Sequence, residues 1–289
     1  MRRWRDAAGW ALRLASERPD LWVPGALAWT LSVGWIPFVV AVARPPSVAE
    51  LTFLGARIVT SGTWPLNAVA IGVGFVVIVL LAFAVTAAAN AVLIALIARR
   101  APSLSDLRRI FAVDMVAALP AAIASLAVLV ALVGVAPREF NAPEPAGGPV
   151  LRTIVGLTPY LLLLGLTVAA GAAFAAVAGR LAVERRWSVA RALRSALRMN
   201  VRPPAAAHAI LAFVVQLAYL LFGALLLRVL WAPIGGQLAV VGEIDVASGL
   251  LLVGFVAIWL CLVLAGGALQ AWSAATWSRL LATDASGGT

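Results

Sequence analysis

Six stretches of this chain are apolar for longer than a membrane is thick, and this constrains the fold more than any other feature of the sequence. A bilayer core of about 30 Å is crossed by about 20 apolar residues in a helix. Apolar residues make up 63% of the chain and charged residues 12%. The sequence therefore predicts an all-α, polytopic membrane protein with a single integral membrane domain over residues 1–289. Its six spans are predicted at about residues 21–43, 67–98, 112–135, 153–182, 206–231 and 248–276.

The distribution of basic residues predicts which way the spans run. All 22 basic residues are arginine, and most lie before the first span, between the second and third, between the fourth and fifth, or after the sixth. Because arginines in short loops are retained on the cytoplasmic side, both termini are predicted to be cytoplasmic. We expect a multi-pass membrane protein whose arginine-rich side faces the cytoplasm. The arginines in or near the other loops are Arg44, Arg57, Arg138, Arg152 and Arg228.

The most basic stretch, RRWSVARALRSALRMNVRPP at residues 185–204, joins the fourth and fifth spans. At about 100° per residue its central arginines share one side of a helix, and its apolar residues share the other, where Ala196 and Leu197 lie together. The sequence predicts an interfacial amphipathic helix over residues 185–202 and another over residues 2–18. The predicted contacts to lipid or a partner are Arg185, Arg186, Arg191, Arg194, Arg198 and Arg202.

Three kinds of ligand suit a basic surface of this type. A helix among lipid headgroups gains about 1 kcal/mol per arginine from anionic lipid, and the sequence favours this interpretation. A protein partner, or a second copy of the chain in a homo-oligomer, is the alternative. Nucleic acid is excluded as a partner, because no nucleic-acid-binding motif accompanies the charge.

The chain also reads as three hairpin units, each with an interfacial helix, a span, an outer loop and a second span. Ser103 and Asp106 have capping-box spacing, which predicts a short helix before the third span as well. Another short helix is predicted in the first outer loop, between Ser47 and Thr60.

The even-numbered spans carry small residues four apart, which let helices approach closely in lipid. They are Ala84, Ala87, Ala88, Ala91, Gly171, Ala175, Gly179, Gly267, Ala271 and Ala275.

The sequence offers no set of residues for catalysis. His208 is the only histidine and Cys261 the only cysteine, so zinc sites, bis-histidine haem ligation and cysteine clusters are excluded or incomplete. No Walker A motif, GxSxG elbow or pair of mid-span aspartates occurs. We therefore predict no catalytic, cofactor-binding or metal-binding residue, no cofactor and no enzymatic activity.

Polar residues within the spans are candidates for a functional role, because they are costly in lipid. Asp114 lies about a turn into the third span, where we expect it to pair with Arg108, Arg109 or a basic neighbour. Arg228 lies near the outer end of the fifth span, where it snorkels or meets an acidic residue of the next loop. An interhelical hydrogen bond is favoured for His208, with proton coupling as the alternative. The full set is Asn90, Asp114, His208, Gln216, Arg228 and Gln270.

The basic segment VERRWSVARALRSALRMNVRP follows the small-residue helix GAAFAAVAGRLAVE. This arrangement resembles bacterial six-span proteins grouped with the membrane domain of glycerophosphoryl diester phosphodiesterases, and related uncharacterised membrane families. In that family the membrane domain can precede a soluble phosphodiesterase domain that carries the catalysis. The resemblance implies a helical module of the bacterial cytoplasmic (inner) membrane, and it brings no catalytic residue to this chain.

Three classes of function remain open. The sequence favours a non-enzymatic membrane scaffold or accessory subunit that engages anionic lipid or a membrane or cytoplasmic partner. A permease or transporter component for an anionic or amphipathic substrate is the first alternative, with Arg180, Arg185 or Arg186 at its cytoplasmic mouth; the absence of carboxylates at mid-membrane weighs against it. A lipid-modifying enzyme is the weaker alternative, because no acid, base or metal set is present.

The predicted orientation can be tested with single cysteines in a Cys261→Ala background. A cysteine at Ser105 or Ser188 should resist a membrane-impermeant thiol reagent in intact cells, because both positions are predicted to be cytoplasmic. A cysteine at Ser61 should react, because it precedes the second span on the outer side. Labelling is measured by a mass shift on a gel, with permeabilised cells as the control. The reverse labelling pattern would show that the topology is inverted.

Overall fold

The computed structural model describes residues 2–43, 50, 53, 57, 60–141, 148–241 and 246–286. Every regular element in these residues is helical. Six helical segments are long and apolar enough to cross a membrane, which confirms the predicted all-α, six-span class. They are Pro19–Val42, Leu66–Ile97, Leu104–Glu139, Leu151–Glu184, Pro203–Gln237 and Val246–Ala282.

The helices follow the chain in a simple order. The first span is built from two helices joined by a π-helical turn at Thr30–Gly34, and each later span lies within one continuous helix. Short helices occupy the two segments for which interfacial helices are predicted. In chain order the helices are α1 Arg2–Glu17, α2 Trp22–Trp29, α3 Trp35–Val42, α4 Leu66–Ile97, α5 Leu104–Asn141, α6 Pro149–Glu184, α7 Val189–Asn200, α8 Pro203–Val241 and α9 Val246–Ser286.

The separate short helix predicted before the third span does not form. Ser103 and Asp106 do make the reciprocal bonds of a capping box, in which the Asp106 N–H donates to Ser103 Oγ at 3.2 Å and the Ser103 N–H donates to the Asp106 carboxylate at 3.3 Å. This cap starts α5 itself, which runs on because residues 104–119 contain no glycine or proline to break it. The helix predicted between Ser47 and Thr60 lies mostly outside the described residues.

The helices α2 and α9 cross at glycines, with their backbones in direct contact. A Cβ added to Gly267 would lie 2.8 Å from the Cα of Ala26, and one added to Gly25 would lie 3.1 Å from the carbonyl carbon of Gly267. Close contact of this kind holds helices together in lipid, where hydrophobicity does not drive them together. The next small residues along α9, Ala271 and Ala275, are also fully buried.

Trp29 fills the space beside this crossing. A Cβ added to Gly266 would come within 2.7 Å of its indole ring, and one added to Gly34 within 2.9 Å. Gly34 is the last residue of the π-helical turn that follows Trp29. Tyr219 of α8 meets the same ring edge-on, with 5.6 Å between the centroids. One aromatic side chain therefore holds parts of α2, α8 and α9 together.

The spans do not pair strictly within the predicted units. The helices α5 and α6 pack together extensively, and a Cβ added to Gly171 of α6 would lie 2.8 Å from the carbonyl oxygen of Ala117 of α5. The first span packs more extensively against α9 than against α4, and it also packs against α8. The three-unit repeat therefore stays a prediction about the sequence, and the helix neighbours cross its boundaries.

The spans converge at one end of the protein. This arginine-rich end comprises α1, residues 98–103 between α4 and α5, the first turns of α5, α7 and the last turns of α9. Buried clusters around Leu181, Leu93 and Ile110 lie toward it, and a fourth cluster around Phe255 joins α3, α8 and α9 nearer the other end. Large apolar side chains on residues 66–81 of α4 are mostly exposed, as expected for a surface that contacts lipid.

Gly267→Ala tests the crossing of α2 and α9. The added methyl group meets the backbone of α2, so we expect the variant to lose about 1–3 kcal/mol of stability from overpacking. Gly254→Ala on the same helix is the matched control, because a Cβ there meets nothing within 4 Å. The measurement is the melting temperature of the detergent-solubilised protein. Equal melting temperatures for the two variants would show that the crossing is looser than described.

Candidate functional site

The helix α7 begins at a sharp reversal of the chain after α6. Arg186 has a φ of 51°, in the left-handed region that favours glycine. Ser188 follows in an extended conformation immediately before the first helical residue. Pro203 begins α8 beyond the far end of α7. The reversal lays α7 against α6 at the arginine-rich end.

The helix α7 has three sides, where the sequence predicts two. Ala192 and Ala196 are fully buried in the same cluster as Leu181 of α6. Leu197 is 66% exposed, and Val201, just beyond the helix, is 77% exposed. The structure therefore divides the apolar side predicted from the sequence, since Ala196 is buried and Leu197 is exposed. Val189, Leu193 and Met199 pack, partly buried, against the same cluster, whereas Leu197 remains outside it.

The third side of α7 carries arginines. The Arg191 guanidinium lies 4.5 Å from the centroid of the Trp187 ring, a cation–π contact. Arg185, in the loop before α7, forms a hydrogen bond to another helix: its Nη2 donates to the carbonyl oxygen of Leu281 at 3.0 Å. Arg185 therefore joins the loop before α7 to the end of α9. The exposed members of the predicted contact set are Arg186, Arg191, Arg194, Arg198 and Arg202.

Arg180 of α6 links two spans inside the protein. It is almost completely buried, and its guanidinium donates to the carbonyl oxygens of Ala176 at 2.8 Å and Ala274 at 3.1 Å. Its Nε also lies 3.3 Å from Ser278 Oγ, which donates to Glu184 at 2.7 Å. The permease hypothesis expects Arg180 at an open cytoplasmic mouth, but the side chain is buried between two helices. Carbonyl oxygens of α6 and α9 hold it.

His208 of α8 is fully buried beside two tryptophans of α9. Its ring centroid lies 5.5 Å from that of Trp272 and 4.8 Å from that of Trp277, edge-on to both. Its Nε2 lies 3.4 Å from Ser273 Oγ, which agrees with the predicted interhelical hydrogen bond. Its Nδ1 has no partner among the described residues.

Asp114 and Arg228 are the acidic residue and the arginine among the polar candidates within the spans. Asp114 is half-buried and belongs to none of the ion pairs among the described residues. Arg109, one of its predicted partners, instead donates to the carbonyl oxygen of Ala182 at 3.1 Å. Arg228 is exposed and donates to the carbonyl oxygen of Val40 at 3.3 Å, near the end of α3. The acidic residues predicted to meet Arg228, at 243 and 245, lie outside the described residues.

The remaining polar candidates are scattered over different spans. Asn90 lies on α4, Gln216 on α8 and Gln270 on α9, and all three are half-buried. Within the described part of the chain, no hydrogen bond or ion pair joins any two of the six polar candidates. In the same residues, no three His, Cys, Asp or Glu side chains come together in a group able to hold a metal ion.

Comparison of the chain with known protein families, with curated proteins and with solved structures gives no match. The six-span plan is therefore the part of the family resemblance that the structure supports.

The role of Arg180 can be tested with Arg180→Gln. A shorter, neutral side chain loses the charged hydrogen bonds to α9, each of which is typically worth about 1.5–3 kcal/mol. We expect a loss of about 2 kcal/mol in stability, measured as a lower melting temperature in detergent. Arg198→Gln is the matched control, because Arg198 is exposed and should tolerate the same change. An unchanged or higher melting temperature for Arg180→Gln would contradict the structural role.

Proposed function

We propose that this protein is a non-enzymatic integral membrane scaffold or accessory subunit that binds anionic phospholipid through α7. One observation carries the proposal: exposed arginines and exposed apolar side chains lie on adjacent sides of α7, while its third side is packed on the protein. A helix at the boundary between headgroups and acyl chains needs both kinds of side chain at one surface.

The fixed side of α7 supports this role. Because Ala192 and Ala196 are buried against α6, α7 cannot rotate about its axis without losing that contact. Leu197 is then directed toward acyl chains, while Arg194 and Arg198 are directed toward phosphate groups. Each arginine near an anionic surface contributes about 1 kcal/mol.

We assign the membrane to the cytoplasmic membrane of a bacterium. This assignment rests on the resemblance to six-span bacterial membrane modules and on the positive-inside distribution of the arginines. A protein that docks on the same arginines is the competing occupant of α7. The permease hypothesis has less support, because Arg180 is buried and its Nε and Nη1 donate to carbonyl oxygens inside the protein.

Replacing Arg191, Arg194 and Arg198 by glutamine tests the proposal. Losing three contributions of about 1 kcal/mol each should lower the affinity for phosphatidylglycerol at least about tenfold. Affinity is measured by native mass spectrometry of the detergent-solubilised protein, titrated with phosphatidylglycerol and, separately, with phosphatidylcholine.

The matched control carries three other glutamines, at Arg5, Arg13 and Arg108, which are also exposed at the arginine-rich end. It removes the same charge but leaves α7 unchanged, so we expect it to lose less affinity for phosphatidylglycerol than the α7 variant does. An equal loss in both triple variants would mean that net charge, and not α7, attracts the lipid. No loss in either would favour a protein partner for α7.

A further inference from the structure

An open cleft lies between the first two spans at the arginine-rich end, well apart from α7 in the sequence. Its volume is about 400 Å³, and it is lined by Arg18, Leu96, Arg99, Arg100 and Ala101. Arg18 directly precedes the first span, and the other four residues form the end of α4 and the loop that follows it. A hydrogen bond of 2.9 Å from Arg18 Nη1 to the carbonyl oxygen of Leu96 joins the two walls.

Two of the three arginines are held in place by carboxylates. Arg18 pairs with Asp20 through Nε and Nη2, and Arg100 pairs with Asp106 through Nη1 at 2.6 Å. Arg100 Nη2 is buried and has no hydrogen-bond partner among the described residues. A buried charged donor without a partner carries a desolvation cost that the one ion pair of Arg100 does not remove.

Arg99 supplies the positive charge that these carboxylates do not balance. It is exposed and forms no ion pair with a described residue. The cleft therefore has three guanidinium groups against the two carboxylates bound to them. Two carbonyl groups near the end of α4 are engaged by N–H donors, since the Arg99 N–H bonds to the Leu96 oxygen at 3.1 Å and the Arg100 N–H to the Ala95 oxygen at 2.9 Å. These bonds reduce the repulsion that the end of the helix exerts on an anion.

The backbone of Arg99 points to a role for its charge. With a φ of 53°, Arg99 has the left-handed conformation that ends a helix, a position where glycine is usual because other residues are strained there. An arginine in this backbone conformation lowers the stability of the protein, and strained backbone conformations of this kind are concentrated at binding sites. Glycine at this position would relieve the strain and remove the cation. Stability should therefore rise or stay equal while the affinity for an anion falls.

We propose that the cleft of Arg18, Arg99 and Arg100 binds the phosphate group of an anionic phospholipid, with Arg99 as the contact residue. Guanidinium groups suit phosphate because their paired donors match its oxygens. We assign this phosphate group to a lipid because the cleft lies at the ends of two spans and includes the apolar side chain of Leu96. The site is separate from α7 and does not rest on the function proposed for that helix.

Arg99→Gly and Arg99→Gln test this site in the full-length protein. Short-chain dioctanoyl phosphatidylglycerol is titrated against the detergent-solubilised protein, and bound lipid is counted by native mass spectrometry. We expect both variants to lose one bound lipid, with about a tenfold drop in its affinity, since a charge-assisted hydrogen bond is lost. Arg99→Gly should also melt at an equal or higher temperature than the parent, so the loss cannot come from unfolding. Arg108→Gln is the control, because Arg108 is exposed at the same end and does not line the cleft.

Two further measurements distinguish a lipid from free phosphate, and the cleft from α7, as the explanation of binding. Inorganic phosphate at the same concentration should neither bind measurably nor displace the lipid; if it saturates the site with equal affinity, the lipid assignment is overturned. The α7 triple variant should retain the lipid that Arg99→Gly loses. If the Arg99 variants bind lipid like Arg108→Gln, the cleft is not a lipid site, whatever the α7 variant does.

Discussion

Close contact between backbones is what holds spanning helices together, because lipid supplies no hydrophobic drive between them. In this protein the decisive contact is the crossing of α2 and α9 at Gly25 and Gly267. It brings the first span against the last, and α1 then lies along the end of α9, where Trp272 Nε1 donates to the carbonyl oxygen of Ala8 at 3.2 Å. The helices α1 and α9 are thereby both built into the arginine-rich end, beside α7 and the cleft at Arg99.

The sequence predicts well those features that depend on composition and local pattern. Apolar length identifies all six spans, and the spacing of Ser103 and Asp106 identifies the cap of α5. Small residues four apart identify a surface that becomes a helix interface, as Ala271 and Ala275 show. Each of these signals is local, because it follows from the period of a helix or from the thickness of a bilayer.

Features that depend on which helices become neighbours are not predictable in the same way. Periodicity separates the two sides of α7, but only the contact with α6 divides Ala196 from Leu197. Arg180 looks like a free cation in the sequence, and it becomes structural because carbonyl groups of α9 come within reach. The left-handed backbone of Arg99 carries no sequence signal, since glycine is the residue expected at that position.

The first span differs from the others in length, and this has a consequence for the membrane that the protein fits. It has 24 residues and the sixth span has 37, which correspond to about 36 Å and about 55 Å of helix. The crossing at Gly267 ties the two together, so tilting the sixth span to match a thinner bilayer must carry the first span with it. Hydrophobic mismatch therefore acts on the whole helix bundle and not on single spans. The packing of the helices should depend on the thickness of the bilayer as well as on the charge of its headgroups.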